Sequence, residues 1–315
     1  MNDNFYITRE NEIRLFAVLI AGLLLFFAIS MAFDLKVDRG DNSTPSETAV
    51  NTFPEVTLRA KAAYVYDVRN QKVLFSKNEN ARLPLASLTK IMSALVAREI
   101  NPDHGTIVIS DNALSAEGDS GLLRDEKWSL KNLLDFSLLA SSNDGMRAVA
   151  LALGALSSSE ASPEDIVQDF VMDMNMKAKK MGLGNTLFLN ETGLDLSPTQ
   201  AGAYGTAKDM SMLIEYILSN QPELLNATKE VSQTFSSLSN TRHRAENTNN
   251  LAREIPGLIA SKTGFTDTAG GNLVIAFDPD LGRPIIVVVL GSTERGRFED
   301  VEKLVKSSLE YISSK

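Results

Sequence analysis

Ser87 and Lys90 stand three residues apart in the run LPLASLTKIMSALVA, residues 83–97, which carries no other charge. Positions i and i+3 share a helix face, so a helix entered through Pro84 would set an amine beside a hydroxyl. Ser87 would then lie at the helix N-terminus, where backbone dipoles favour a developing anion. Such a pair can perform nucleophilic acyl transfer, the neutral amine taking the hydroxyl proton. An ordinary lysine, with a pKa of about 10.4, is protonated at neutral pH. Burial and a nearby cation both lower that value, and a fall of ~3 units corresponds to about 4 kcal/mol. The competing structural reading makes Ser87 a helix cap and lets Lys90 snorkel to water.

Two other stretches have usable chemistry. Ser141-Ser142-Asn143 falls at a break between two helical patterns. Ser141 can pass a proton to a leaving amine, and Asn143 can hydrogen-bond a substrate amide or Lys90. Structurally, the same residues read as the cap of the next helix. Lys262-Thr263-Gly264 ends the apolar strand pattern LIASKTGFT. Gly264 lets a substrate backbone lie close, an extended peptide can add along this edge, and Lys262 is a candidate second cation for Lys90. Alone, this is an ordinary strand end.

Each motif is weak by itself, but S-x-x-K, S-x-N and K-T-G occurring in this order form one set. On those residues the chain resembles the serine-type D-Ala-D-Ala carboxypeptidases, the low-molecular-mass penicillin-binding proteins of the DD-peptidase/β-lactamase-like superfamily. The resemblance runs from about Arg59 to Lys303. It includes Glu117–Gly121, Phe188–Leu194, Thr206–Met210, Asn247–Asn249 and Thr266–Gly270, most of which read as structural. It implies an acyl-enzyme on Ser87, with Lys90 as base, Ser141 relaying the proton, and Asn143 and Lys262 completing the catalytic group. It also implies that Thr263, Gly264, Phe265 and Arg297 bind substrate, with the oxyanion between the backbone N–H groups of Ser87 and Phe265. Arg297 otherwise reads as a surface arginine at a helix start. Phe265 departs from relatives that carry histidine there, but only its N–H is required. The implied partners are a peptidoglycan stem peptide ending in D-Ala-D-Ala and β-lactams as covalent inhibitors, with no cofactor and no metal.

Three alternatives stay open. A class A β-lactamase needs a deacylating glutamate in E-x-x-L-N, and Glu223-Leu224-Leu225-Asn226 is one residue short. An endopeptidase on crosslinked peptidoglycan uses the same catalytic groups. A non-catalytic wall-binding module would predict a damaged motif, and none is damaged.

The rest of the chain must position these residues. With 315 residues, 43% of them hydrophobic, it can bury a real core. A net charge of −9 argues against nucleic acid, and the lack of cysteine excludes disulfides and thiolate chemistry. The two histidines, His104 and His243, sit in polar, turn-like contexts that predict surface positions. Residues 1–14 form a flank without basic excess. Residues 15–33, LFAVLIAGLLLFFAISMAF, carry no charge and are long enough to span a bilayer as an anchor, or to serve as a signal sequence. The expected placement is a bacterial cell membrane with the catalytic domain extracytoplasmic, or secreted if this segment is cleaved. Flanking charges tie, so they do not set the orientation. Residues 34–53 read as a linker and 54–315 as the catalytic domain. Many relatives carry an added β domain and a C-terminal membrane helix. Neither is legible after the last helical pattern, so the N-terminal segment is the expected attachment. A hairpin over 62–75, helical patterns from 130 to 218, and strands over 258–263, 271–277 and 284–290 precede a closing helix at 299–312. Pairing of the terminal strands gives an α+β fold: a mostly antiparallel sheet flanked by helices, with an N-terminal transmembrane helix.

Overall fold

The computed structural model describes residues 52–102, 105–156, 161–280 and 282–314. The flank at 1–14, the apolar segment 15–33, all but the end of the linker, and His104 lie outside the described residues. Among those described, no helix is long and apolar enough to cross a membrane.

In chain order the strands are β1 (Ala62–Asp67), β2 (Lys72–Lys77), β3 (Leu83–Pro84), β4 (Thr106–Val108), β5 (Lys127–Ser129), β6 (Leu187–Phe188), β7 (Ala203–Gly205), β8 (Ser232–Ser236), β9 (Arg242–Glu246), β10 (Leu258–Thr266), β11 (Gly270–Phe277) and β12 (Ile285–Ser292). The helices are α1 (Thr89–Ile100), α2 (Asp111–Leu114), α3 (Leu130–Ala140), α4 (Asn143–Gly154), α5 (Pro163–Lys180), α6 (Ala207–Asn220) and α7 (Gly296–Ser313).

The terminal strands pair as expected. β1 and β12 run antiparallel, with Ala63 opposite Val289, in a five-stranded sheet ordered β10-β11-β12-β1-β2. The β1–β2 turn closes because the Asp67 carboxylate accepts from Asn70 N at 3.0 Å and Asn70 Nδ2 at 2.8 Å. The apolar run of β12 is buried throughout because the sheet is covered on both faces. Side chains alternate across a strand. Val287 and Val289 therefore share a core with Val301, Leu304 and Tyr311 of α7, while Ile286, Val288 and Leu290 join the core of the helical region. Asp300, fully buried, fixes α7 to the sheet by accepting from Ala60 N and Ser292 Oγ, both at 2.8 Å.

The helix starts follow local chemistry. Ser129, Ser142, Ser162 and Thr206 each accept from a backbone N–H three residues on, capping α3 to α6. Helix α1 is buried from Thr89 to Ala97, as apolar residues on every side of it require.

Two expectations are corrected. The run 83–97 is not one helix entered through Pro84. Leu83 and Pro84 pair with β7, opposite Gly205 and Tyr204. Ala86 then takes a φ of 49°, outside right-handed helix space, and a 3-10 turn over Ala86–Leu88 leads into α1. His243 is not a surface residue. It faces inward on β9, its Nε2 2.7 Å from Glu126 Oε1 and its ring 5.1 Å from that of Trp128. The β8–β9 hairpin is formed by polar alternating stretches that look like loop in sequence, and it docks through this pair.

Candidate active site

Three elements from distant parts of the chain converge on Ser87. The 3-10 turn presents it at partial exposure, ahead of α1. Two features hold that turn against its neighbours. Gly193 has a φ of +82°, and a Cβ there would lie 1.9 Å from Ala86 O, so only glycine lets the 192–194 loop pass. Gly264 brings β10 close on the other side, since its Cβ would lie 3.1 Å from Ser87 N and 2.9 Å from Leu85 O.

Lys90 is fully buried. Its Nζ lies 2.9 Å from Ser87 Oγ, 2.6 Å from Asn143 Oδ1 and 2.9 Å from Thr192 O. The amide orientation of Asn143 is fixed from the other side, where Nδ2 donates to Glu117 O at 2.7 Å. Asn143 Oδ1 and Thr192 O can only accept. A neutral amine has two N–H donors and one lone pair, so donating to both leaves the lone pair for the hydroxyl of Ser87. Burial pushes Lys90 down to about 7, while the Glu191 and Asp144 carboxylates hold it up.

Lys262, also buried, donates from Nζ to Ser141 Oγ and to Thr263 O, both at 2.8 Å. Ser141 ends α3 with a φ of 61°, which lifts its hydroxyl out of the helix toward β10. Burial first, then the charges of Lys90 and Arg297, hold Lys262 well below the ordinary lysine range. This revises the expected division of labour. Burial is the leading cause for Lys90, and repulsion between the two lysines falls on Lys262. Thr263 Oγ1 lies 2.6 Å from Thr248 Oγ1. Arg297 is buried, not a surface residue, and its Nη1 donates to Gly264 O at 2.8 Å. Phe265 is 43% exposed at the end of β10, which forms one edge of the sheet.

Ser87, Lys90, Ser141, Asn143, Lys262, Thr263, Gly264 and Arg297 are therefore tied into three hydrogen-bonded groups around Ser87, Lys262 and Gly264, with Phe265 next to Gly264 on β10. Glu223 is not among them. It is exposed, 3.7 Å from Arg98, and Arg98 is eight residues beyond Lys90 on α1, a rise of ~12 Å. Sequence reasoning passed over Thr192, Glu117 and Thr248, which act through a carbonyl, a carbonyl and a hydroxyl. All three lie in family-like stretches read as structural, and backbone acceptors leave no mark in residue type.

The chain is similar to known proteins over most of its length. Residues 47–294 match peptidase family S11, D-alanyl-D-alanine carboxypeptidase. The chain is 32% identical over 299 residues to the D-alanyl-D-alanine carboxypeptidase DacF of Bacillus subtilis, covering 93% of this chain and 70% of the relative. It is 29% identical to a D-alanyl-D-alanine endopeptidase of Escherichia coli, covering 87% of this chain and 85% of that one. The crystal structure of penicillin-binding protein D2 from Listeria monocytogenes in its ampicillin-bound form is similar with a TM-score of 0.66 at 31% identity, over 81% of this chain and 99% of that one. With its α+β architecture, its three motifs and a match across most of its length, the chain belongs to the D-alanyl-D-alanine carboxypeptidase family.

Proposed function

We propose that this protein removes the terminal D-alanine from peptidoglycan stem peptides through an acyl-enzyme on Ser87. The observation that carries the reading is the set of partners around Lys90 Nζ, in which Ser87 Oγ is the only one able to give a proton. In acylation, Ser87 Oγ bonds the carbonyl carbon of the penultimate D-alanine and its proton passes to Lys90. The backbone N–H groups of Ser87 and Phe265 stabilise the oxyanion. The C–N bond breaks, and the leaving amine receives a proton by way of Ser141 and Lys262. Water then attacks the ester and Ser87 regains its proton. Thr263, Lys262 and Arg297 hold the terminal carboxylate. Lys262 and Arg297, both buried at one strand end, fit an anion brought by the substrate, whose charge would favour the protonated lysine. A β-lactam acylates the same serine but keeps its leaving nitrogen tethered, so a long-lived adduct forms.

A second reading, endopeptidase action on crosslinked peptidoglycan, draws support from the 85% coverage of the E. coli endopeptidase. One experiment separates the two. Full-length protein is given a muramyl pentapeptide and purified crosslinked dimers, and products are resolved by mass spectrometry. Free D-alanine from the pentapeptide with intact dimers is the expected result. Conversion of dimers to monomers transfers the assignment to the endopeptidase, and no product from either refutes both.

We also propose that residues 15–33 anchor the chain in a cell membrane, with 34–53 as tether and the domain from residue 54 outside the cytoplasm. Their uncharged length supports this. The chain should stay with membranes through an alkaline wash and be released by detergent; recovery in the wash would rule the anchor out.

A further inference from the structure

The segment 190–195 touches the catalytic site at two separate places. Near its middle, Thr192 O takes Lys90 Nζ at 2.9 Å and Glu191 O takes Ser93 Oγ of α1 at 2.6 Å. Asn190 closes the segment on itself, its Oδ1 accepting from Gly193 N at 2.7 Å and its Nδ2 donating to Leu194 O at 2.8 Å. Asp195, at the end, reaches the other way, to the turn after β10. Its Oδ1 accepts from Thr266 Oγ1 at 2.9 Å and its Oδ2 from Thr268 N at 3.1 Å. Thr266 Oγ1 in turn accepts from Ala269 N at 3.1 Å, so one carboxylate holds the turn that joins β10 to β11.

The strand end before that turn carries the second oxyanion donor. Backbone groups alternate along an antiparallel strand, so Phe265 N–H faces the same edge of β10 as Thr263 O, which takes Lys262 Nζ at 2.8 Å. The strand is fixed one residue earlier. Opposite Gly264 in the register lies Asn272, fully buried, with Nδ2 donating to Pro84 O at 3.0 Å and Oδ1 accepting from Gly291 N at 2.7 Å. That amide ties the segment before Ser87 to the sheet at the level of Gly264. Beyond Gly264, β10 has two residues left, Phe265 and Thr266, and Asp195 bonds the second of them. An oxyanion hole works when both donors stand about 2.7–3.1 Å from the developing charge, so a small swing of this strand end costs rate.

We propose that Asp195 is a positioning residue for acylation: it holds Phe265 N–H at its working distance from Ser87 N–H and, through residues 192–194, couples that distance to the placement of Lys90. The proposal rests on the acyl-enzyme reading above and gives Asp195 no contact with substrate. A purely structural tie predicts lower stability. Positioning predicts a defect confined to the charge that develops on the attacked carbonyl oxygen.

The test measures acylation of the full chain by a penicillin and by its thiono counterpart, in which sulfur replaces the β-lactam carbonyl oxygen. Sulfur is larger and a weak acceptor, so a well-set hole favours the oxygen compound. Asp195→Ala should lower the acylation rate constant for the penicillin about 10- to 100-fold. The dissociation constant of the preceding complex should stay within about threefold of wild type, and the oxygen-over-sulfur preference should narrow by most of the rate loss. Thr266→Val removes the hydroxyl that Asp195 Oδ1 accepts from. It should move the same quantities in the same direction, and the double variant should be little worse than Asp195→Ala alone. Unchanged rate constants in both single variants overturn the proposal. A lower rate at an unchanged preference, the signature of general loosening, also overturns it. Should Asp195→Ala fail to fold by thermal melting, Thr266→Val decides alone. The parent reading fails separately, in a wild type that penicillin does not acylate; with an acylated wild type the preference reports on Asp195.

Discussion

Ser87→Ala is expected to abolish covalent labelling by fluorescent penicillin and to lower D-alanine release by roughly 10⁶-fold, the scale of removing a serine hydrolase's nucleophile. The variant should remain folded. Ser87 is only partly buried, and Lys90 keeps Asn143 Oδ1 and Thr192 O as partners. The oxyanion donors are backbone groups and survive the substitution, so substrate should still bind while the acyl-enzyme cannot form. In-gel fluorescence after penicillin treatment, with thermal melting as a control for folding, checks this. A folded Ser87→Ala protein that still labels would place the nucleophile elsewhere. An unlabelled wild type would remove the acyl-serine mechanism altogether.

Lys90→Arg should also be severely impaired, for a different reason. Arginine keeps a positive charge at any pH the fold survives, so it has no lone pair to offer Ser87. General-base assistance is worth ~10²–10⁴-fold, and the acylation rate constant should fall to the upper end of that range. Lys90 is fully buried, so the larger guanidinium can also disturb packing. Lys90→Gln, close in size and uncharged, separates lost basicity from misfolding and should be equally inactive. The wild-type pH profile tests the same point. Lys90 sits at about 7, lowered mainly by burial, and only its neutral form is the base. Acylation should therefore rise with pH through about 7 and fall roughly tenfold per unit below it. Glu191→Gln removes a charge that raises Lys90 and should move that limb to lower pH. An active Lys90→Arg enzyme, or a profile flat from pH 5 to 8, would contradict a neutral-amine mechanism.

Much of the site is legible in residue types. Ser87 and Lys90 are three positions apart on a locally ordered segment, so their contact follows from helix geometry alone. The apolar runs of β10 to β12 and the polar cap ahead of α4 are also local features, which is why those strands and that helix start fall where the pattern puts them. The β8–β9 hairpin was not legible, because its exposed positions are polar and its inward residues include a histidine whose burial depends on Glu126, 117 positions away. Nor was the break at Ala86, which is held by Gly193 and Gly264 packing against it.

By itself, then, the sequence determined the family, the α+β order of elements, and the candidates for nucleophile, base and carboxylate anchors. These depend on residue type and short spacing. Tertiary structure alone decided what each group experiences. Burial, not the neighbouring cation, is the main reason that Lys90 is lowered to about 7. The Thr192 carbonyl and a correctly turned Asn143 amide aim its lone pair at Ser87. Arg297 became part of the K-T-G strand end through one bond to Gly264 O. A pKa and a hydrogen-bond direction are set by the low-dielectric surroundings that distant segments create on packing, and those surroundings exist only once the chain has folded.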